Sequence, residues 1–220
     1  MSTSVGEQSL APRFQVAHHF DDAESQFEAN KLGVWIFLVT EILLFGGLFV
    51  AFLVFRSWHF GAFKEAHHHL DKVMGAVNTV VLICSSLTMA LGVRAAQRSK
   101  RGETVAMLGL TLALAATFLV IKGFEYHHKF ADGLLPGVHF TAQGFAYPAA
   151  KIFFGLYFMM TGLHGLHVVI GMSLIGWILL RARKGQFSSR YYSPVEGVGL
   201  YWHLVDLIWI YLFPLLYLVG

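Results

Sequence analysis

The sequence contains a single cysteine and few charged residues, and both shortages exclude whole classes of protein. Cys84 has no second cysteine to pair with inside the chain, which excludes an internal disulfide framework and a thiolate metal site. Charged residues make up only 13% of the chain, and the formal net charge of +3 is too small and too dispersed to indicate nucleic-acid binding. The sequence also shows no internal repeat and no low-complexity segment, so we expect one compact unit.

Long apolar runs dominate instead. Hydrophobic residues make up 56% of the chain, 20 of them phenylalanine, and the mean hydropathy is positive. These values are typical of a membrane protein that crosses the bilayer several times. Five runs are long enough to cross as helices, at about residues 32–55, 73–93, 104–121, 152–180 and 198–219. The sequence therefore predicts an all-α integral membrane bundle of five transmembrane helices over residues 32–220.

The segments outside the spans predict the orientation. Residues 1–31 are polar and lack the hydrophobic core of a signal peptide, so we expect a loosely ordered arm. Basic residues are concentrated in the loops after the second and fourth spans, on the same side as this arm. These residues are Arg94, Arg98, Lys100, Arg101, Arg181, Arg183 and Lys184. The positive-inside rule then predicts a cytoplasmic amino terminus and an outside carboxyl terminus.

Five ionisable side chains lie inside the predicted spans, namely Glu41, His164, His167, His203 and Asp206. At 1.5 Å per residue, Glu41 and Asp206 lie roughly 14 Å and 12 Å from the cytoplasmic side, close to the depth of the two histidines of span four. Burying such groups is least unfavourable if they face one another, so we predict one polar cluster in which Glu41 pairs with a histidine of span four. The alternative is that they only cross-link helices by hydrogen bonds. Span three is expected to hold no ionisable side chain in its interior.

Three other classes of membrane protein fit parts of this pattern. A membrane cytochrome would ligate haem through His164 or His167 together with His203. A metal oxygenase would use histidine clusters near the membrane surface. A proton-coupled transporter would fit Glu41 and Asp206, but the broken helices and paired halves of that class are absent from the sequence. The surface clusters are His18-His19, His67-His68-His69 and His127-His128.

Several motifs, taken together and in order, resemble subunit III of the haem-copper terminal oxidases. The resemblance runs from about residue 31 to the end and corresponds to a five-span form that lacks the first two spans of the longer members. The motifs are Leu38–Gly47, Asn78-Thr79 with Ser85-Ser86, Glu125-Tyr126, Thr161–Gly171, and Glu196 with Tyr201–Trp209. The resemblance implies a bacterial inner (cytoplasmic) membrane protein.

The resemblance also implies partners and roles. It implies no haem, copper or catalytic residue in this chain, because haem and copper belong to subunit I of such oxidases and electrons arrive through subunit II. Subunit I is the main expected contact, with subunit II, a small subunit IV and membrane lipids as further partners. Subunit III of that family supports proton uptake, binds phospholipid and protects subunit I from inactivation. Glu41 matches the family's intramembrane glutamate, and Arg181 is a candidate for binding a lipid phosphate. The electron donor, cytochrome c or quinol, stays open, although Glu41 favours cytochrome c.

Overall fold

The chain folds into a helical bundle. The computed structural model describes residues 23–136, 140–141, 145–189 and 191–218, so residues 1–22 of the predicted arm, including His18-His19, lie outside the described residues. The helices are α1 (Ala23–Trp58), α2 (Phe60–Ala66), α3 (Lys72–Gln97), α4 (Arg101–Ala131), α5 (Ala150–Arg183) and α6 (Ser193–Phe213), and α6 continues as a π-helical turn over Pro214–Leu218. All of these except α2 and the final turn are long and apolar enough to cross a membrane. The predicted all-α five-span fold is confirmed, and its orientation stays a prediction.

The helices extend beyond the apolar runs that revealed them. Residues 23–31, which we assigned to the arm, form the first turns of α1, and α4 ends at Ala131 rather than near residue 121. Hydropathy marks the part of a helix that contacts hydrocarbon, whereas hydrogen bonding and capping decide where the helix ends. At the start of α3, for example, the Asp71 carboxylate accepts hydrogen bonds from the backbone N–H groups of Val73 and Met74 at 2.9 and 3.0 Å.

Helix α6 forms the centre of the bundle and packs against α3 and α5, while α3 and α4 form an antiparallel hairpin. Trp202 and Trp209 of α6 are fully buried. Two glycines allow this close packing. A Cβ atom on Gly171 of α5 would lie 2.8 Å from the Trp202 ring, and one on Gly75 of α3 would lie 2.7 Å from the Phe213 ring. The bundle core therefore depends on small residues opposite large aromatic ones, as is common in membrane helix packing.

Helix α1 is the outermost span. Only a narrow stripe of it is buried, with Leu38, Phe45 and Phe52 at intervals of seven residues, and most of its other large apolar side chains are exposed. Glu41 lies on this stripe between Leu38 and Phe45, because residues three and four apart share a helix face. The sequence of α1 thus directs its one interior carboxylate toward the bundle.

Candidate functional site

Glu41 and His167 meet between α1 and α5. Glu41 Oε2 lies 2.8 Å from His167 Nε2, and the two side chains are only 14% and 10% exposed. The Phe45 ring packs edge-on against the imidazole, with ring centroids 5.2 Å apart. An acid and an imidazole that both lie within membrane spans are thus in direct contact inside the bundle, which is the arrangement that reduces the cost of burying them.

The second ring nitrogen of His167 determines how many protons this contact holds. His167 Nδ1 lies 2.8 Å from the Leu163 carbonyl oxygen, which can only accept a hydrogen bond, so Nδ1 carries a hydrogen. One further proton must then lie between Nε2 and Glu41 Oε2, either on the carboxyl group or on the imidazole. A neutral pair and an ion pair differ only by transfer of this proton. The geometry of this contact therefore suits one proton shared between Glu41 and His167, whichever residue carries it.

His164 lies one turn before His167 but faces a different part of the bundle. It is fully buried between the rings of Phe118 and Trp209, whose centroids lie 5.6 and 5.1 Å from its own. Neither of its ring nitrogens has a hydrogen-bond partner among the residues that the structure describes. His164 is therefore a member of the aromatic core rather than a partner of Glu41.

His203 and Asp206 lie at the contact between α6 and α3. His203 Nδ1 is 2.7 Å from the Ser86 hydroxyl, and this hydroxyl also interacts with the Asp206 carboxyl group. Asp206 is 5% exposed, and its Oδ1 has no partner within the described part of the chain. The prediction of one polar cluster was therefore wrong: the five side chains divide into an α1–α5 pair, an α3–α6 group and the isolated His164. Side chains three residues apart diverge by about 60° on a helix, which in a tight bundle is enough to face different neighbours.

Arg181 lies in the last turn of α5. Its Nε donates a hydrogen bond to Gln186 Oε1 at 2.7 Å, and its guanidinium group lies 4.8 Å from the centroid of the Trp177 ring. These contacts hold the side chain at the helix end, and its other N–H groups have no hydrogen-bond acceptor among the residues that the structure describes. Its binding of a lipid phosphate stays a prediction.

Sequence reasoning missed a buried ionic network. Lys122 Nζ lies 2.9 Å from Glu125 Oε2 and donates to the Tyr217 hydroxyl at 2.7 Å. Glu125 Oε1 accepts hydrogen bonds from the hydroxyls of Tyr157 and Tyr217 at 2.8 and 2.5 Å. Lys122 is 8% exposed and Glu125 only 2%. The network joins α4, α5 and the final turn after α6.

The error came from placing the end of the third span at residue 121. Because α4 continues to Ala131, Lys122 and Glu125 lie inside the bundle, and Glu125 is more deeply buried than Glu41. The signal that could have revealed them is their three-residue spacing, which on a helix places opposite charges side by side. The Trp209 ring, 4.7 Å from Lys122 Nζ, adds a favourable contact for the ammonium group.

A mostly apolar groove of about 400 Å³ lies between α1, α5 and α6. Its walls include Phe37, Leu174 and Trp177, and Lys31 and Glu196 lie at its rim. Phe37 is one helical turn from Glu41, so the inner end of the groove approaches the Glu41–His167 pair. The groove thus runs from one end of the bundle toward the Glu41–His167 pair.

The histidine clusters of the loops do not form metal sites in the described residues, since no group of three or more His, Cys, Asp or Glu side chains is placed there to hold a metal ion. Within the His67-His68-His69 triplet, burial lowers the pKa of His67, and its Nδ1 contacts the Lys64 carbonyl oxygen at 2.8 Å. Among the span histidines, His167 is engaged by Glu41 and His203 by Ser86. The described residues therefore give no support to the oxygenase alternative, and the haem-ligand alternative stays a hypothesis.

Comparison with known proteins gives a consistent result. The family model described as cytochrome c oxidase subunit III matches residues 15–220. The chain is 32% identical over 221 residues to cytochrome c oxidase subunit 3 of Corynebacterium diphtheriae, with 100% of both chains covered. It is 35% identical over 193 residues to cytochrome c oxidase subunit 3 of Synechocystis sp., covering 87% of this chain and 76% of the relative. It is also 29% identical over 224 residues to the cytochrome bo(3) ubiquinol oxidase subunit 3 of Pseudomonas aeruginosa, covering 100% of this chain and 99% of the relative.

Proposed function

The chain belongs to the cytochrome c oxidase subunit III family, and we propose that it serves as the non-catalytic subunit III of a proton-translocating haem-copper terminal oxidase in a bacterial inner membrane. Its membership of an oxidoreductase complex follows from the family match over residues 15–220 and from the five membrane-spanning helices. The oxygen chemistry would take place at haem and copper held by subunit I. The residues of this chain would act on protons, lipid and the stability of that subunit.

The observation that carries the proton-related part of the proposal is the Glu41–His167 pair. Its oxygen and nitrogen atoms are 2.8 Å apart, so a proton can move between them with little movement of heavy atoms. The Leu163 carbonyl oxygen fixes the orientation of the imidazole by binding Nδ1. The pair lies one turn beyond a groove whose rim carries Lys31 and Glu196. A proton taken up at that rim could be stored at the pair before delivery to subunit I.

The same groove suits the acyl chain of a phospholipid. Its apolar wall residues match hydrocarbon, and the volume of about 400 Å³ is of the size that holds a small apolar ligand. Lys31, which lines the groove, and Arg181, which stacks on the wall residue Trp177, supply two cations that could bind the lipid phosphate. Bound phospholipid would shield the Glu41–His167 pair from the bilayer and hold α1 against the bundle.

The E41Q variant tests the proton-related role. It keeps the side-chain shape and a hydrogen-bonding group but removes the exchangeable carboxyl proton. We expect slower steady-state proton uptake and a shorter working lifetime of the assembled oxidase. E103Q is the matched control, because Glu103 is an exposed acid that pairs only with Lys100 at 2.6 Å among the described residues. If E41Q and E103Q both behave like the unmodified complex, Glu41 has only a structural role.

Some of the relatives are subunits of quinol oxidases, and they match this chain over nearly its whole length. They support quinol as a second candidate for the electron donor. The alternative proposal is that the complex oxidises a quinol rather than cytochrome c. Oxygen consumption by the purified complex, measured with reduced cytochrome c and separately with a reduced quinol, decides between the two. Activity with quinol alone would replace the cytochrome c assignment.

A further inference from the structure

We propose that the outer surface of the α3–α6 contact, centred on His203, binds a membrane-spanning helix of another oxidase subunit, and that this helix carries a hydrogen-bonding side chain at the depth of His203. This surface, the His203 surface, consists of His203 and Leu207 of α6 with Ile83 and Ala90 of α3. The inference rests on the proposed membership of an oxidase complex. It adds which face of the chain makes the contact and what chemistry the partner provides.

The first observation is the depth of His203. It lies ten residues after Ser193, the first residue of α6, or roughly 15 Å along the helix axis. Tyr201, two residues earlier, donates a hydrogen bond to the His167 carbonyl oxygen at 3.2 Å. His203 therefore lies within the hydrocarbon-spanning part of α6, five residues or roughly 8 Å beyond the start of the predicted fifth span at residue 198. Lipid headgroups do not reach this depth.

The second observation is an unpaired ring nitrogen at the edge of the bundle. Ser86 occupies His203 Nδ1 at 2.7 Å, whereas Nε2 has no partner among the residues that the structure describes. The residue is only half-buried. An imidazole nitrogen that faces hydrocarbon is unfavourable, and polar groups inside membranes usually face a bundle interior or a partner. Nε2 is thus placed to hydrogen-bond with a group outside this chain.

Other polar side chains on the outer faces of the spans do not need such a partner. The hydroxyls of Thr40, Thr117 and Ser173 donate to backbone carbonyl groups of their own helices at 2.6 to 2.9 Å. The ionisable groups of the Glu41–His167 and Lys122–Glu125 pairs satisfy each other. Unlike these groups, His203 combines a position within the hydrocarbon, partial exposure and a ring nitrogen with no hydrogen-bond partner in the described part of the chain.

The residues around His203 suit close approach of another helix. Ile83 and Ala90 lie about one turn on either side of Ser86, and Leu207 lies one turn after His203. Ile83 and Leu207 are 48% and 51% exposed, and Ala90 is also exposed. A small residue flanked by aliphatic ones lets a helix approach closely while the single polar group fixes its register. A serine, threonine, asparagine or carboxyl side chain on the partner could bond to Nε2.

Photocrosslinking in the assembled oxidase, within native membranes, tests the surface directly. A benzophenone amino acid replaces Leu207 in one variant and Leu110, an exposed residue of α4, in the control. We expect the label at position 207 to form an adduct with another oxidase subunit, and the label at position 110 to give little or no such adduct. Adducts from position 207 with lipid alone, or with a second copy of this chain, would overturn the proposal.

Substitutions at His203 and Ser86 separate the outward contact from the internal one. H203L and S86A both remove the Ser86–His203 hydrogen bond, but only H203L removes Nε2. We expect H203L to reduce, at least several-fold, the fraction of oxidase that retains this chain in detergent, S86A to leave it nearly unchanged, and H203Q to restore part of it. Equal losses in H203L and S86A would show that the residue acts only inside the bundle.

These outcomes are distinguishable from failure of the proposed function. If the unmodified chain copurifies with no haem-containing subunit, the proposed function itself is wrong. If it copurifies with the oxidase but the His203 surface contacts only lipid, the proposed function stands and only this inference fails.

Discussion

Replacing Glu41 by glutamine separates hydrogen bonding from proton exchange at the Glu41–His167 contact. His167 Nδ1 is committed to the Leu163 carbonyl oxygen at 2.8 Å, so Nε2 is free to accept a hydrogen bond from the amide of E41Q. Because the bond between helices is kept, we expect the free energy of unfolding to change by less than about 1 kcal/mol. E41L removes the bond and leaves Nε2 unpaired, which costs about 1–3 kcal/mol.

Two measurements on the purified complex check this reasoning. Unfolding, followed through the fluorescence of the buried residues Trp202 and Trp209, gives the order of stability, with E41Q near the unmodified chain and E41L below both. Infrared difference spectra should show the C=O stretch of a protonated carboxyl group change when the proton moves, and E41Q should lack this signal. If E41Q lowered the stability as much as E41L, His167 Nε2 would not accept a hydrogen bond from the glutamine amide. The assignment of one proton shared by Glu41 and His167 would then be wrong.

Three further predictions concern the rest of the bundle. A hydrophobic carbodiimide should label Glu41 faster than Glu125, because Glu41 is reachable from the bilayer while Glu125 is 2% exposed. Peptide mass spectrometry measures the two labelling rates, and faster labelling of Glu125 would contradict this order. K122M should destabilise the chain by about 3–5 kcal/mol because it leaves the Glu125 carboxylate buried without its cation, and unfolding of K122M/E125Q should show partial recovery. G171A should cost about 1–3 kcal/mol because its Cβ would lie 2.8 Å from Trp202, whereas the control G165A, with no atom within 4 Å of its Cβ, should have almost no effect on thermal unfolding.

The number and type of helices follow from the sequence because each span must match the thickness of hydrocarbon. The same physical constraint does not determine how the helices are rotated about their axes. The structure places Glu41 beside His167, the type of pairing we favoured, because both lie on the faces by which α1 and α5 meet. It separates His164 and Asp206 from them, since those side chains point toward α4 and α3 instead.

The Lys122–Glu125 network could not be predicted from local sequence for a different reason. Two charges near the apparent end of a span are usually solvated, so the residues themselves favour a surface position. Their burial depends on the hydroxyls of Tyr157 and Tyr217, which lie 35 and 95 residues from Lys122 along the chain. Only the three-dimensional packing of α4, α5 and the turn after α6 brings these groups together.

The identity of the polypeptides that copurify with this chain tests the account most directly. The chain should be isolated from membranes in mild detergent, and the haem and copper content of each copurified polypeptide should be measured together with oxygen consumption. The account predicts that haem and copper belong to a larger partner subunit, that the complex reduces oxygen, and that this chain carries neither group. Stoichiometric haem bound to this polypeptide, or its isolation without any redox-active partner, would contradict the account.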